Sequence, residues 1–510
     1  MRRALAVWLA AMMCVGTLGV QLTSAQVGSQ VVVDQGTDVE SMDPMFTQAR
    51  FSDNVMLTMF ETLVTRDSQM RYQPRLAESW RIISPTVWQF RLRKGVRFHD
   101  GEPFNAEAVK YTINRLYDPA LKAPSFLKGF VKYDHIDIVD DYTLNIVMKE
   151  TSPLVLEWLV YFYMMAPKYY SGVTEAQASL RPVGTGPYVF KEWIHDDHVT
   201  VTANPTYWGP KPKIQTLVFR PVPEAGTRIA DLLSGAADII TNVPPDQINR
   251  INNSSNAAVK TVEGGRDIFI GMRTDRPPFN DTRVRQAMNY AVDVDAILKS
   301  ILSGRGRRMA TLVNAYADPA VKPYPYDPNK AKSLLAEAGW KLQNNVLMKN
   351  GQPFSVTMDT PVGRYISDKE IAEATASYLQ AIGVQVKVNP LAWPVYSKKM
   401  FEDVNPADMY LLGLGSSFDG QDEIRYVEKD FGYNPTYWNN AEFEKQYDLL
   451  NHTVDPKQRT PILYKLQEIA HDDAPLIFLY KQTDFYGVNK RLNWAPRADE
   501  LIILENASVK

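Results

Sequence analysis

The sequence predicts an α/β protein with more than one hydrophobic core. Three observations carry this. The chain has 510 residues, 45% hydrophobic and 22% charged, a globular composition at a length that suggests two or three domains. Residues 354–388 read as strand FSVTMD, helix 368–381 and, after Gly383, strand VQVKV. That is a β-α-β unit whose strands are expected to be parallel. Elsewhere, apolar and polar residues alternate with period 2 between runs of helical period, as in VWQFRLRKGVRFHDG at 87–101.

In order, the N-terminus reads as an export signal. Arg2 and Arg3 precede the apolar run 4–20, and Thr23-Ser24-Ala25 offers small residues for cleavage after Ala25. An uncleaved anchor is the alternative reading, although 17 apolar residues are slightly short for a span. Cys14 is the only cysteine, and Met12 and Met13 before it are unlike the small residues of a lipoprotein signal. Cleavage at Ala25 would leave a chain with no disulfide, no thiol catalysis and no cysteine-based metal site.

Strand signals begin at Val31-Val32-Val33, followed by a loop with Asp43-Pro44 and a helix through Val55, Met56, Met59 and Phe60. In 87–101, Trp88, Phe90 and Leu92 alternate with Gln89, Arg91 and Arg93, so the crowded cations belong to the wet face of a sheet. Asn105 is placed to cap a helix with Val109, Ile113 and Leu116 on one face. Strands follow near 136–148, then in VTVTAN and LVFRPV after about 181, with a helix at 224–235 and a short strand ADII at 237–240. In the second half, Asp281 opens a helix, Asp327-Pro328 opens another that Gly339 ends, and DMYLLGL (408–414) is a buried strand. Helix 456–471 and strand LIFLY (476–480) follow.

With 56 basic and 58 acidic residues, the chain carries no basic footprint for nucleic acid or anionic membranes. Enzyme motifs such as G-x-x-x-x-G-K-[ST], H-E-x-x-H and G-x-S-x-G are missing from it. Gly184-Thr185-Gly186-Pro187 leads into a hairpin, not a helix, and reads as a tight turn. His195-Asp196-Asp197-His198 offers metal-ligating side chains, but the four are consecutive and read as a solvated hairpin tip. His471-Asp472-Asp473 reads as a wet helix end.

Ligands of open α/β sheets bind beyond the carboxyl ends of the strands. Three such ends carry distinctive side chains: Pro361-Val362-Gly363-Arg364, then Trp393, then Gly415-Ser416-Ser417-Phe418-Asp419, with Asp422 close behind. An arginine fork, an aromatic wall and a polar loop would suit a small anionic or zwitterionic solute.

RLAESWRIISPTVWQFRLRKGVRFHDGEPFNAEAVKYTINR (75–115), RPVGTGPYVF (181–190), NPTYWGPKPKIQTLVFRPV (204–222), FNDTRVRQAMNYAVDVDAIL (279–298) and YDPNKAKSLLAEAG (326–339) resemble, in order, the extracytoplasmic solute-binding proteins of peptide-type ABC importers, family 5. The resemblance covers essentially the whole mature chain. It implies a two-lobe periplasmic binding protein of type II with an extra inserted subdomain. Lobe I would comprise 26–58, 181–267 and 483–510, the insert 59–180 and lobe II 268–482, with a hinge at crossings near 267 and 482.

In dipeptide-binding relatives an arginine in a P-V-x-R segment holds the ligand carboxylate, and Arg364 matches it. Trp393 matches a tryptophan that walls the pocket in oligopeptide-binding relatives. The family's G-W-x-x-D loop corresponds to Gly413-Leu414-Gly415-Ser416-Ser417, so leucine and serine stand where tryptophan and the amine-binding aspartate are usual. Asp419 and Asp422 are the nearby acids that could serve a ligand amine instead.

The resemblance implies a non-catalytic, monomeric periplasmic protein without cofactor or metal. It would capture a peptide or peptide-like carboxylate and pass it to inner-membrane permease subunits driven by cytoplasmic ATPases. The family also takes glutathione, opines, haem and nickel chelates, which stay open as ligands. A secreted metal-dependent hydrolase using His195–His198 is the rival of another class.

Overall fold

The computed structural model describes residues 29–46, 49–121, 123, 125–314, 316–415, 418–431 and 434–510. Residues 1–25, which the sequence reads as an export signal, with Cys14 among them, and Ser416 and Ser417 lie outside the described residues.

The fold is a two-lobe α/β architecture built on one large mixed sheet. From one edge to the other its strands are Gln385–Ala392, Ser355–Val362, Met409–Leu414, Ala257–Met272, Leu476–Asn489, Ile239–Ile240, Gln30–Gln35, Thr216–Pro221, His198–Ala203 and Tyr188–Ile194. The strands Ala257–Met272 and Leu476–Asn489 run antiparallel through its middle. Residues 257–263 pair with 483–489, and 267–271 pair with 476–481. Between these stretches the register slips, so Gly264, Gly265 and Arg266 oppose Gln482 alone. Glycine is required at the slip: a Cβ on Gly264 would come within 2.3 Å of Asp484 Oδ2. The strand pair therefore belongs to one half of the sheet above the bulge and to the other half below it.

The β-α-β unit is present. Ser355–Val362 pairs in parallel with Gln385–Ala392 and is joined to it through helix Asp368–Ala381. Both strands run further than the sequence suggests, past Pro361 and Pro390. Gln385–Ala392 is an edge strand, and Ser355–Val362 pairs with Met409–Leu414 only at 358–359, so neither proline removes a needed N–H bond.

The segment that carries the cation-rich stretch forms a separate antiparallel sheet, in the order Ala77–Ser84, Val87–Leu92, Thr143–Met148 and Tyr133–Asp140. Trp88, Phe90 and Leu92 are buried, while Arg91, Lys94 and Arg97 are exposed. Arg93 lies with its guanidinium 4.7 Å from the Trp208 ring centre. The helices begin where short polar side chains can accept a bond from the first turn. Asn105 accepts from the Ala108 N–H, Asp281 from Arg283, and Asp327 from Asn329 and Lys330.

One core gathers this inserted sheet with Val31, Val33, Phe219 and the tail residues Ile502 and Leu504. A second core lies under helices Thr282–Ala291 and Asp368–Ala381 and extends to Ile229 and Leu232. A third holds Phe269, Tyr410, Tyr426 and Trp438. Among the described residues, no helix is long and apolar enough to cross a membrane.

Candidate functional site

The site begins where strand Ser355–Val362 stops. Gly363 takes φ +77°, a conformation that favours glycine. The buried Asp368 carboxylate accepts the backbone N–H groups of Gly363 (3.1 Å), Arg364 (2.9 Å) and Tyr365 (3.0 Å). The turn is thereby locked, and Arg364 is presented at the carboxyl end of the strand. Its guanidinium carbon lies 5.1 Å from the Tyr365 ring centre and 5.2 Å from that of Trp393. Trp393 opens the short helix Trp393–Ser397 directly after the neighbouring strand, and its ring stacks near Tyr396. Arg364 and Trp393 are thus brought together, as expected of one sheet edge. Arg364 Nε is buried with no hydrogen-bond partner. Burial first, then the nearby Arg266 guanidinium, lowers the Arg364 pKa from its ordinary value. An anionic group placed there would relieve both effects.

Two further arginines reach the same place. Arg266, in the bulge, holds Glu500 through two bonds of 2.6 and 2.7 Å and donates to the Gly413 carbonyl at 2.8 Å. Tyr365 donates its hydroxyl to the same carbonyl at 3.1 Å. Arg50 pairs with Asp53 at 3.1 Å. A Cβ on Gly415 would lie 3.6 Å from Arg266 Nη2 and 4.0 Å from Arg50 Nη2, so the loop that continues into Ser416 and Ser417 starts on this cluster. From the other half of the sheet, Gly36 approaches: its Cβ position would be 4.0 Å from the Gly363 carbonyl oxygen. The arginines therefore face a narrow space between the two halves. Arg266 and Arg50 are compensated by carboxylates, while Arg364 donates no side-chain hydrogen bond to a described residue.

The acidic candidates have other neighbours. Asp419 Oδ1 is buried without a hydrogen-bond partner. Burial pushes this carboxyl up to about 7, against the opposing pull of Arg459 and Arg66. Asp422 Oδ1 sits 2.6 Å from Arg425 Nε, an ion pair without aligned hydrogen-bond geometry. Phe418, before them, takes φ 59°. These acids look toward Arg66 and Tyr72 of the inserted segment, whereas Arg364 has Tyr365, Trp393, Arg266, Arg50 and the Arg266-bound Glu500 near it.

Sequence reasoning missed Arg50, Arg266, Tyr365 and Glu500. The available signal was Gly264-Gly265-Arg266-Asp267: two charges beside two glycines inside a strand-forming run require buried partners. Asp267 finds Lys481 at 2.7 Å, and yet burial raises its pKa to about 7.

The hairpin tip at His195 is solvated. His195 is exposed and stacks on Trp193, while Asp38, His195 and Asp196 offer ligand atoms within 4.8 Å of one another. Asp38 Oδ2 already accepts the Trp193 indole N–H (3.1 Å) and the Asp196 N–H (2.9 Å). His198 lies instead beside Glu192. Gly184 and Gly186 pack on the end of helix Arg50–Met59, where a Cβ would meet the Met59 backbone at 2.2 and 2.5 Å. Close packing, and not phosphate binding, accounts for them.

A pH dependence follows from these carboxyls. Asp34 is raised to about 6, Asp267 and Asp419 to about 7, and Asp484 is also raised, each chiefly by burial. Between pH 4 and these values the folded chain holds protons that the unfolded chain has released, so stability falls as pH rises through that window. The melting temperature is expected to be higher at pH 5.5 than at pH 8, by on the order of a few degrees. Calorimetry at the two values checks this, and Asp267→Asn should shrink the difference.

A family model described as bacterial extracellular solute-binding proteins, family 5 Middle, matches residues 71–428. Glutathione-binding protein GsiB of Shigella boydii is 28% identical over 468 residues, 88% of each chain. Heme-binding protein A of Haemophilus influenzae is 29% identical over 472 residues, 82% of this chain and 81% of that one. The structure of the periplasmic binding protein DppA from Helicobacter pylori in complex with peptide STSA superposes with a TM-score of 0.84 at 24% identity, covering 94% of this chain and 98% of that one.

Proposed function

The chain belongs to the bacterial extracellular solute-binding proteins of family 5, and on that premise we propose that it captures a peptide or peptide-like carboxylate between its lobes and delivers it to a permease. The protein is a non-enzymatic, solute-binding component of the ABC importer class. The segment 1–25 directs export and is removed, and the mature protein acts as a monomer in the periplasm. Lobe I comprises 26–58, 181–267 and 483–510, the insert 59–180, and lobe II 268–482. The bulge opposite Gln482 supports this division, because a slipped, glycine-containing register is where a strand pair bends most easily.

The single observation that carries the proposal is Arg364. Its guanidinium stands between two rings at the cleft with a buried, unpartnered Nε, which suits one carboxylate held by parallel bonds. Trp393 and Tyr365 would wall the solute, with Ser416, Ser417 and Phe418 as further ligand-binding residues. Asp419, whose Oδ1 has no hydrogen-bond partner, is the first acid to test for a ligand amine, whereas Asp422 is already engaged by Arg425. With serine at 417, only a weak preference for a free amine is proposed, under about tenfold, because a hydroxyl cannot balance an ammonium.

A solute other than an ordinary α-linked peptide is the second reading. It is favoured by relatives whose names specify glutathione and heme. Mass spectrometry of small molecules released from purified, denatured protein decides between the two. A solute bearing a carboxylate is expected, and one without any anionic group would overturn the clamp. X-ray scattering should then show a smaller radius of gyration on rebinding that solute, and an unchanged radius at saturation would count against lobe closure.

A further inference from the structure

Arg425 is buried, and its chain neighbours Ile424, Tyr426 and Val427 belong to the third core, in lobe II. Its guanidinium leaves that core. Nη1 donates to the Gly129 carbonyl at 2.9 Å, and the guanidinium carbon lies 3.9 Å from the Phe130 ring centre. Gly129 and Phe130 belong to the inserted segment, and Phe130 packs in the first core. On its own side, Arg425 is held by Asp422 at 2.6 Å and lies 4.7 Å from the Phe431 ring centre. One side chain thus joins two hydrophobic cores from opposite halves of the molecule.

We propose that Arg425 is a latch of the closed state, held ready on lobe II by Asp422 and engaged only when Gly129 and Phe130 of the inserted subdomain arrive. The inference rests on the two-lobe reading but needs no ligand contact. Asp422 and Phe431 restrain the guanidinium before closure, so little side-chain freedom is lost when the lobes meet. Closure then adds a cation–π contact with the buried Phe130 ring and a charge-assisted bond to the Gly129 carbonyl. The latch sets the fraction of molecules that are closed, and so the escape rate of whatever the cleft holds.

The test reads closure without a ligand. The chain from Gln26 onward has no cysteine, so the introduced thiols are the only ones in the mature protein. Dyes on Asp137→Cys, in the inserted sheet, and Glu373→Cys, on lobe II, both exposed, report the separation by single-molecule energy transfer on protein refolded free of solute. The closed-to-open ratio is expected to fall about tenfold in Arg425→Gln, in line with the loss of a desolvated cation–π contact. Phe130→Leu, which keeps apolar volume but removes the ring face, should fall similarly, and the double variant no further than either alone. Wild-type protein without a closed population, or variants with an unchanged closed fraction, would overturn the latch. Failure of the solute-binding reading would appear elsewhere, as protein that releases no solute on denaturation.

Discussion

Arg364→Ala is expected to weaken capture of the solute by about 30-fold or more. Losing one partner of a desolvated charge pair costs roughly 2–5 kcal/mol of binding, and each 1.4 kcal/mol is about tenfold. The magnitude follows from the environment of this arginine. Arg266 and Arg50 are already satisfied by Glu500 and Asp53, so neither is free to take over the carboxylate. The burial that lowers the Arg364 pKa also strengthens any bond it makes to an anion. Calorimetry with the solute identified by mass spectrometry checks this, using wild type, Arg364→Ala and Arg364→Lys. Lysine should recover only part of the loss, since an ammonium cannot grip both carboxylate oxygens in parallel. Wild-type affinity in Arg364→Ala would remove the clamp from the site.

The largest loss of stability is expected at Glu157→Ala. Glu157 is fully buried, accepts from the Tyr72 hydroxyl at 2.8 Å and pairs with Arg66, itself buried. Removing the carboxylate leaves a guanidinium and a phenol without their partner, at a cost of about 3–5 kcal/mol. The urea midpoint should fall accordingly. Arg66→Met combined with Glu157→Leu should recover most of the loss, because a well-packed apolar pair need not pay for desolvating two charges. A wild-type midpoint for Glu157→Ala would mean that water reaches Arg66 and replaces the lost partner.

The elements themselves were legible because their signals are local. Asn105, Asp281 and Asp327 cap the helices they precede, and the alternation around Trp88, Phe90 and Leu92 buries the expected face. The strand ends were less legible. Pro361 and Pro390 suggest stops, and only the sheet order shows that no hydrogen bond is needed at either residue. The site was legible in half. Arg364 and Trp393 follow adjacent parallel strands, so their meeting is implied by the β-α-β unit. Asp419 and Asp422 follow the same sheet edge, but the chain after Leu414 carries them toward Arg66, Arg425 and Arg459.

By itself the sequence determined the α/β class, the succession of strands and helices, the family and the arginine offered at a strand end. Each of these depends on residues near one another in the chain or on several motifs in order. Only the tertiary structure decided which charges share a space. Arg50, Arg266 and Glu500 are separated by hundreds of positions, and Arg425 meets Phe130 across nearly 300. Burying a charge far from its partner in sequence is favourable only after the cores have formed and excluded water, so no local pattern announces it.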